Sequence, residues 1–247
     1  MHSLIAESGQ LHLGLTLDTG ATFASFYVES NELAVQLLQS MATPQGEPQL
    51  LLHGASGSGK THLMHAYCQI LANAGRRVAY LPLRELCDRD PDAVLPGLET
   101  LHSVCIDELD VVLSEAHWET ALFDLLNRLR ESGARLLLAA QCNPVHEHTV
   151  MPDLASRFGW GPVVQLRLLR DEPLERALRH RADALGLTLA DASVAYIRTR
   201  GPRLTSELFR FLAQLDEASL AEQRALTVPF IRRLLARGAL DGREADN

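Results

Sequence analysis

Short apolar runs alternate with segments of helical periodicity through the first two thirds of the chain. Apolar runs bounded by polar or glycine-rich turns are typical of strands buried on both faces. The pattern predicts strands at 50–53, 77–81, 103–107, 135–140 and 163–166, and helices at 31–41, 60–74, 92–99 and 115–131. This alternation indicates an α/β fold with a parallel five-stranded sheet covered on both faces by helices.

The last third of the chain has a different pattern. It contains four segments of helical length, at 172–185, 190–199, 204–217 and 228–237, with no strand pattern between them. We therefore expect a small all-helical domain after the α/β domain. The predicted organisation is a flexible N-terminal tail at 1–20, an α/β domain at 21–168, a helical domain at 169–240 and a disordered tail at 241–247.

Composition excludes several classes of protein. A net charge of −8 over 247 residues argues against a generally basic nucleic-acid binder. The four cysteines have no metal-binding or disulfide spacing, which favours reduced thiols in the cytoplasm. No apolar run approaches the roughly 18 residues of a membrane span, and the N-terminus has no basic segment typical of a secretion signal.

The segment after the first strand carries the clearest chemical signal. It has the pattern G-x-x-x-x-G-K-[ST], a loop whose backbone N–H groups bind phosphates at the N-terminus of the following helix. Lys60 is the only lysine among 23 basic residues, and its slim ammonium can lie among phosphate oxygens where a guanidinium is too wide. The predicted phosphate-binding residues are Gly54, Ala55, Ser56, Gly57, Ser58, Gly59, Lys60 and Thr61.

The third predicted strand ends in two acids. Thr61 and Asp107 are the expected ligands of Mg²⁺, and Glu108 is the expected residue that polarises the attacking water. The usual guanine-reading motif needs a second lysine, so the expected ligand is ADP or ATP with Mg²⁺.

Several strings resemble the DnaA family of AAA+ ATPases. They lie at 22–26, 52–66 and 156–161, and the similarity extends from about residue 20 to 237. In AAA+ proteins a polar residue after the fourth strand senses the terminal phosphate. The resemblance makes Gln141 the first candidate and Asn143 the second. The alternative is that this segment only connects the strand to the following loop and has no sensing role.

The resemblance also identifies a family arginine finger at Arg157, which would act across a subunit interface. The family's lid arginine is not in its usual place. Alignment puts Ser206 at that position, and Arg203, one helical turn earlier, could substitute. These departures favour weak or absent intrinsic ATPase activity.

The first 20 residues suggest a binding partner. Gln10, Leu11, Leu13 and Leu15 are similar to the peptide with which bacterial proteins dock on the DNA polymerase sliding clamp. The alternative for this segment is an ordinary amphipathic edge strand.

DnaA itself would have a separate N-terminal domain and a DNA-binding domain after residue 237. Both domains are expected to be absent here. With the clamp peptide, this organisation makes the chain resemble the Hda branch of the family. The resemblance implies a cytoplasmic inhibitor of replication initiation, nucleoid-associated through the clamp, that stimulates hydrolysis of ATP bound to DnaA. It also implies that contact with DNA is indirect, through the clamp, and it leaves open whether the protein forms a homo-oligomer.

Three other classes remain open. A helicase loader or transposition helper of the DnaC/IstB kind predicts strong ATP turnover and direct DNA binding. A small-molecule P-loop kinase needs an acceptor pocket and an arginine-rich lid. A pure binding module with a vestigial site fits poorly with an intact set of Lys60, Thr61 and Asp107.

Overall fold

The computed structural model describes residues 20–147, 151–169, 171–202 and 205–241. The chain divides after Leu168 into two compact units, which are treated one at a time. The tail residues Gln10, Leu11, Leu13 and Leu15 lie outside the described residues, so the clamp peptide stays a prediction.

A parallel five-stranded sheet forms the centre of the first unit, as predicted. Its strands are β1 Gln49–His53, β2 Val78–Pro82, β3 Ser103–Asp107, β4 Arg135–Ala140 and β5 Val163–Gln165. They lie in the order β2-β3-β4-β1-β5, and each neighbouring pair is parallel. All carboxyl ends therefore meet at one edge of the sheet, where the loop after β1 and the acids after β3 come together.

Helices cover both faces of the sheet. The helices of this unit are α1 Glu32–Met41, α2 Lys60–Asn73, α3 Leu83–Leu86, α4 Pro91–Val94, α5 Ala116–Ser132 and α6 Pro152–Phe158. Two separate apolar clusters result. One contains residues of α5 such as Leu122 and Leu126, and the other contains residues of α1 and α2 such as Leu38 and Tyr67. Burial on both faces explains why the strands appear in the sequence as continuous apolar runs.

The predicted helix at 92–99 is wrong as a single element. The structure has the short helix α4, ending at Val94, and a separate 3₁₀ turn at Leu98–Thr100. Pro96 and Gly97 lie between them, and Gly97 has a φ of 85°. Pro96 has no N–H to donate to the carbonyl of Asp92, and a left-handed glycine ends a helix, so the helical pattern is interrupted here.

The described residues of the second unit form four helices, as predicted. They are α7 Asp171–Ala184, α8 Asp191–Arg200, α9 Thr205–Glu222 and α10 Val228–Asp241. Their apolar core includes Leu178, Ile197, Leu212 and Ile231. α9 is longer than predicted because Ala218 continues its apolar face against this core. No helix in the described part of the chain has the length and apolarity that a membrane span requires.

Candidate nucleotide-binding site

The loop between β1 and α2 depends on glycine for its shape. Gly59 immediately precedes α2 with a φ of 96°, a conformation that side chains disfavour. A Cβ on Gly59 would also lie 2.6 Å from Cε2 of Phe26, so the position is crowded as well as left-handed. The loop backbone can therefore remain close to the start of α2, where its N–H groups are available to an anion.

Lys60 is buried within this loop, at 8% exposure. Its Nζ donates hydrogen bonds to the carbonyl oxygens of Gly54, at 2.6 Å, and Ala55, at 3.2 Å. Burial lowers the pKa of Lys60, whereas the negative charges of Asp107, Asp110 and Glu108 raise it. The ammonium is therefore held in place by neutral oxygens, in a position where a phosphate could replace them.

Thr61 and Asp107, the predicted magnesium ligands, lie within hydrogen-bond distance of each other. Thr61 Oγ1 donates to Asp107 Oδ2 at 2.6 Å, and Tyr80 of β2 donates to the same oxygen at 3.0 Å. A hydroxyl and a carboxylate are the hard oxygen ligands that Mg²⁺ prefers. The residues present therefore fit a magnesium ion, which would neutralise phosphate charge when bound.

The loop also contains a buried polar atom that fits an anionic ligand. Ser58 is 5% exposed, and its Oγ has no hydrogen-bond partner within the described part of the chain. A buried hydroxyl without a partner is costly, and a phosphate oxygen at the loop would satisfy it.

Glu108 follows β3 in an unusual backbone conformation. Its φ is 58°, and its N–H donates to Oδ1 of Asp107 at 2.8 Å. Its carboxylate forms an ion pair with Arg84, with 2.7 Å between Arg84 Nε and Glu108 Oε1. Left-handed backbone at a non-glycine residue is concentrated at functional sites, and the role of Glu108 in polarising water stays a prediction.

The two candidates for phosphate sensing lie at the end of β4. The main-chain N–H of Gln141 donates to Asp110 Oδ2 at 2.5 Å, and the N–H of Gly54 points at the carbonyl of Gln141 at 3.1 Å. The Gln141 side chain is exposed. Asn143 instead uses its Oδ1 to accept from the N–H of Val145 at 3.1 Å. Gln141 is thus adjacent to the phosphate loop, whereas the Asn143 side-chain oxygen stabilises the turn that contains Asn143.

The segment before α1 packs against the phosphate loop. His62 Nε2 lies 2.9 Å from the carbonyl oxygen of Thr22, and the rings of Phe26 and His62 are 5.5 Å apart. Sequence reasoning used this segment only as a resemblance and missed its contact with the first turn of α2. It also missed Tyr80, Arg84 and Asp110, whose roles depend on strand pairing that no local pattern shows.

The two lid candidates fall wholly or partly outside the described residues. Ser206 belongs to α9, but its side chain and the whole of Arg203 lie outside the described residues. Substitution of the family's lid arginine by Arg203 remains a prediction.

Arg157, at the end of α6, lies on a surface rich in aromatic rings. Its guanidinium is 3.7 Å from the ring centre of Phe123 and 5.2 Å from that of Trp160. Arg157 Nε donates to Oδ1 of Asn127 at 2.9 Å, and Nη1 donates to the carbonyl of Asp153 at 2.7 Å. Within the described residues, Arg157 has no ion pair with a carboxylate, and its Nη2 has no hydrogen-bond partner.

The fold and the arrangement of the site are those of an AAA+ protein. A parallel sheet in the order β2-β3-β4-β1-β5 carries a phosphate loop after β1 and acids after β3, and a unit of four helices follows it. The model of the bacterial DnaA ATPase domain matches residues 17–165, and the model of the Hda lid domain matches residues 171–235. The chain belongs to the DnaA family, with a lid of the Hda type.

Several solved structures share this fold. Domain III of the replication initiation protein DnaA from Thermotoga maritima has a TM-score of 0.73 at 20% identity, covering 91% of this chain and 98% of that one. AMPPCP-bound DnaA from Aquifex aeolicus has a TM-score of 0.68 at 19% identity, covering 81% of this chain and 66% of that one. The Thermotoga maritima RuvB Holliday junction branch migration motor has a TM-score of 0.57 at 19% identity, covering 83% of this chain and 67% of that one.

Proposed function

We propose that this protein is a negative regulator of replication initiation. It binds an adenine nucleotide with Mg²⁺, docks on the DNA polymerase sliding clamp, and stimulates hydrolysis of ATP bound to DnaA. The family membership and the Hda-type lid support a role in relation to DnaA. The AMPPCP-bound DnaA from Aquifex aeolicus supports an adenine nucleotide at the related site of this chain.

The arrangement around Arg157 is the observation that carries the proposal. A guanidinium neutralised by a carboxylate could not stabilise charge on a partner without first losing that ion pair. Arg157 is instead held by a ring and by two neutral oxygens, from Asn127 and Asp153. Its charge and its Nη2 donors are therefore available to the phosphates of a nucleotide held by another subunit.

The expected size of this effect is large. An arginine supplied across an interface accelerates nucleotide hydrolysis by roughly 10³–10⁵, equivalent to about 4–7 kcal/mol of transition-state stabilisation. The guanidinium neutralises charge that develops on the transferred phosphoryl group. Because Phe123 and Asn127 fix its orientation, less side-chain entropy is lost when the complex forms.

Docking on the clamp is assigned to the N-terminal tail. A glutamine amide at Gln10 would fix the register, and leucines at alternate positions would enter an apolar pocket. A clamp loaded on DNA raises the local concentration of this protein near DnaA. The tail thus brings the protein to DNA, and Arg157 stabilises the transition state of ATP hydrolysis on DnaA.

The proposal is tested by following hydrolysis of labelled ATP on purified DnaA. The reaction contains clamp loaded on DNA and either the wild-type chain or a Gln10→Ala, Leu13→Ala double variant. Binding of each protein to the clamp is measured in parallel. We expect clamp-dependent stimulation by the wild-type chain, and loss of both clamp binding and stimulation in the double variant.

Two results would overturn parts of the proposal. If the wild-type chain does not bind the clamp, the segment around Gln10 and Leu13 is a structural strand. If it also turns over ATP strongly by itself and binds DNA directly, the protein is a loader of the DnaC/IstB kind.

A further inference from the structure

A buried polar side chain begins strand β1. Gln49 is 6% exposed, whereas the next three residues of the strand, Leu50 to Leu52, are apolar. The Gln49 side-chain amide donates hydrogen bonds to the carbonyl oxygens of Arg157, at 2.8 Å, and Phe158, at 3.1 Å. These are the last two residues of α6, and carbonyl groups at the end of a helix have no partner inside it. Gln49 therefore completes the end of the helix that carries Arg157.

Both hydrogen bonds depend on the amide nitrogen of Gln49. That nitrogen carries two N–H groups, so it can donate to two carbonyls at once. The Arg157 carbonyl also accepts from the N–H of Trp160 at 3.1 Å, whereas Gln49 is the only donor to the Phe158 carbonyl within the described residues. A buried carbonyl that loses its donor is costly. Without the amide, we therefore expect the end of α6 to shift.

The chain that follows α6 also lies directly on β1. A Cβ at Gly161 would be 2.1 Å from the main-chain oxygen of Gln49, so this close approach requires glycine. The N–H of Leu51 donates to the carbonyl of Pro162 at 3.0 Å. On its other side β1 pairs with β4, where Gln49 lies opposite Leu136. Gln49 is thus fixed within the sheet, and the segment that carries Arg157 is bound to it.

Arg157 is held at two places by different residues. Phe123 and Asn127 contact its guanidinium, whereas Gln49 binds its main-chain carbonyl. We propose that Gln49 is a positioning residue that holds the main chain of Arg157 where the guanidinium reaches the nucleotide of a neighbouring subunit. This inference rests on the proposed function, because it concerns the same stimulation of ATP hydrolysis on DnaA.

The expected size of the effect follows from the precision that catalysis requires. Displacement of a catalytic group by about 1 Å can lower a rate by roughly 10²-fold. We therefore expect loss of the Gln49 amide to lower the stimulated rate by roughly 10- to 100-fold, less than the loss of roughly 10³-fold or more expected without the guanidinium.

The test measures single-turnover ATP hydrolysis on DnaA at increasing concentrations of this protein, with clamp loaded on DNA. Gln49→Met has a similar length without the donors, and Gln49→Leu continues the leucines of β1. Urea unfolding checks that each variant is folded. We expect a lower maximal rate, with unchanged clamp binding and an unchanged concentration for half-maximal stimulation, because the loss is in the transition state and not in docking.

Ser103→Ala is the matched control. Ser103 is the first residue of β3, is 0% exposed, and donates from Oγ to the carbonyl of Arg135 at 3.2 Å. The substitution removes a buried hydrogen bond to the main chain at the same edge of the sheet, but not one to α6. Ser103→Ala should lose stability and keep the maximal stimulated rate.

Two further readouts separate positioning from a general structural role. The double variant Gln49→Met, Arg157→Ala should be no slower than Arg157→Ala, because Gln49 acts through Arg157. Fluorine NMR of protein labelled with fluorotryptophan tests the position without DnaA, since the N–H of Trp160 donates to the Arg157 carbonyl. The Trp160 signal should move in Gln49→Met and stay in place in Ser103→Ala.

The inference is overturned if folded Gln49→Met and Gln49→Leu reach the wild-type maximal rate, or if the Trp160 signal does not move. It is also overturned if Ser103→Ala lowers the maximal rate as much, or if the double variant is slower than Arg157→Ala. Failure of the wild-type chain to stimulate DnaA overturns the proposed function itself, and the wild-type measurement distinguishes that outcome from the others.

Discussion

Removal of the Tyr80 hydroxyl tests the hydrogen-bond network at the magnesium site. In Tyr80→Phe, Asp107 loses one donor but keeps Thr61 and the N–H of Glu108. Asp107 is 1% exposed, so water does not readily replace the lost hydroxyl. Hydrogen bonds to charged groups contribute about 1.5–3 kcal/mol. Because two donors remain, we expect the lower part of that range, about 1.5–2 kcal/mol of unfolding free energy.

Tyr67→Phe is the matched control for this prediction. Tyr67 is also a tyrosine of the α/β unit, but its hydroxyl lies 3.2 Å from the neutral Oγ of Ser103. A neutral hydrogen bond contributes about 0.5–1.5 kcal/mol, so the Tyr67 variant should lose less stability.

Urea unfolding without nucleotide, followed by tryptophan fluorescence, measures both variants. The two tryptophans, Trp118 and Trp160, belong to the α/β unit, so their signal reports that unit and not the lid. This matters because a chain of two units need not unfold in one step. An unchanged midpoint for Tyr80→Phe, or a larger loss for Tyr67→Phe, would refute the reasoning.

Two further predictions concern the phosphate loop. Gly59→Ala places a Cβ 2.6 Å from Phe26 at a φ of 96°, and should weaken ATP binding at least about tenfold by calorimetry. Gly75→Ala has a comparable φ of 68° but open space, and should leave ATP affinity unchanged. The pKa of His53 is lowered from 6.5, first by burial and then by the charge of Lys60. Below pH 6.5 the unfolded chain therefore binds more protons than the folded chain. The free energy of unfolding decreases as the pH is lowered through this range, until His53 of the folded chain is also protonated. His53→Gln should flatten this part of the pH–stability curve, and an equally steep curve would contradict the assignment.

The sequence predicted the sheet because its strands are buried on both faces. The run at 135–140 matches β4 residue for residue, since every side chain there must be apolar or tolerate burial. The helix at 92–99 failed because apolar spacing was given more weight than Pro96 and Gly97. A local pattern does not encode which strands become neighbours.

In the candidate site, too, local motifs were predicted from the sequence, whereas contacts between distant segments were not. The phosphate loop is one continuous motif in the sequence, and the two acids after β3 are adjacent to each other. The structure brings Thr61 of the loop within hydrogen-bond distance of Asp107. Tyr80 and Arg84 reach these acids only because β2 pairs with β3. Asn127, which holds Arg157, comes from a different helix. Such residues have no motif of their own, because long-range pairing decides what they contact.

In the proposed function, Arg157 acts on a nucleotide held by DnaA. The most direct measurement is the single-turnover rate of ATP hydrolysis on DnaA with clamp-bound wild-type protein, Arg157→Ala or Arg157→Lys. Arg130→Ala is the control, since Arg130 contacts the same Trp160 ring, 4.2 Å from its centre. We predict that both Arg157 variants still bind the clamp but lose about 10³-fold or more of the stimulation, because a lysine lacks the forked donors of arginine. Arg130→Ala should retain most of it. Wild-type stimulation by a clamp-bound Arg157→Ala variant would contradict the account.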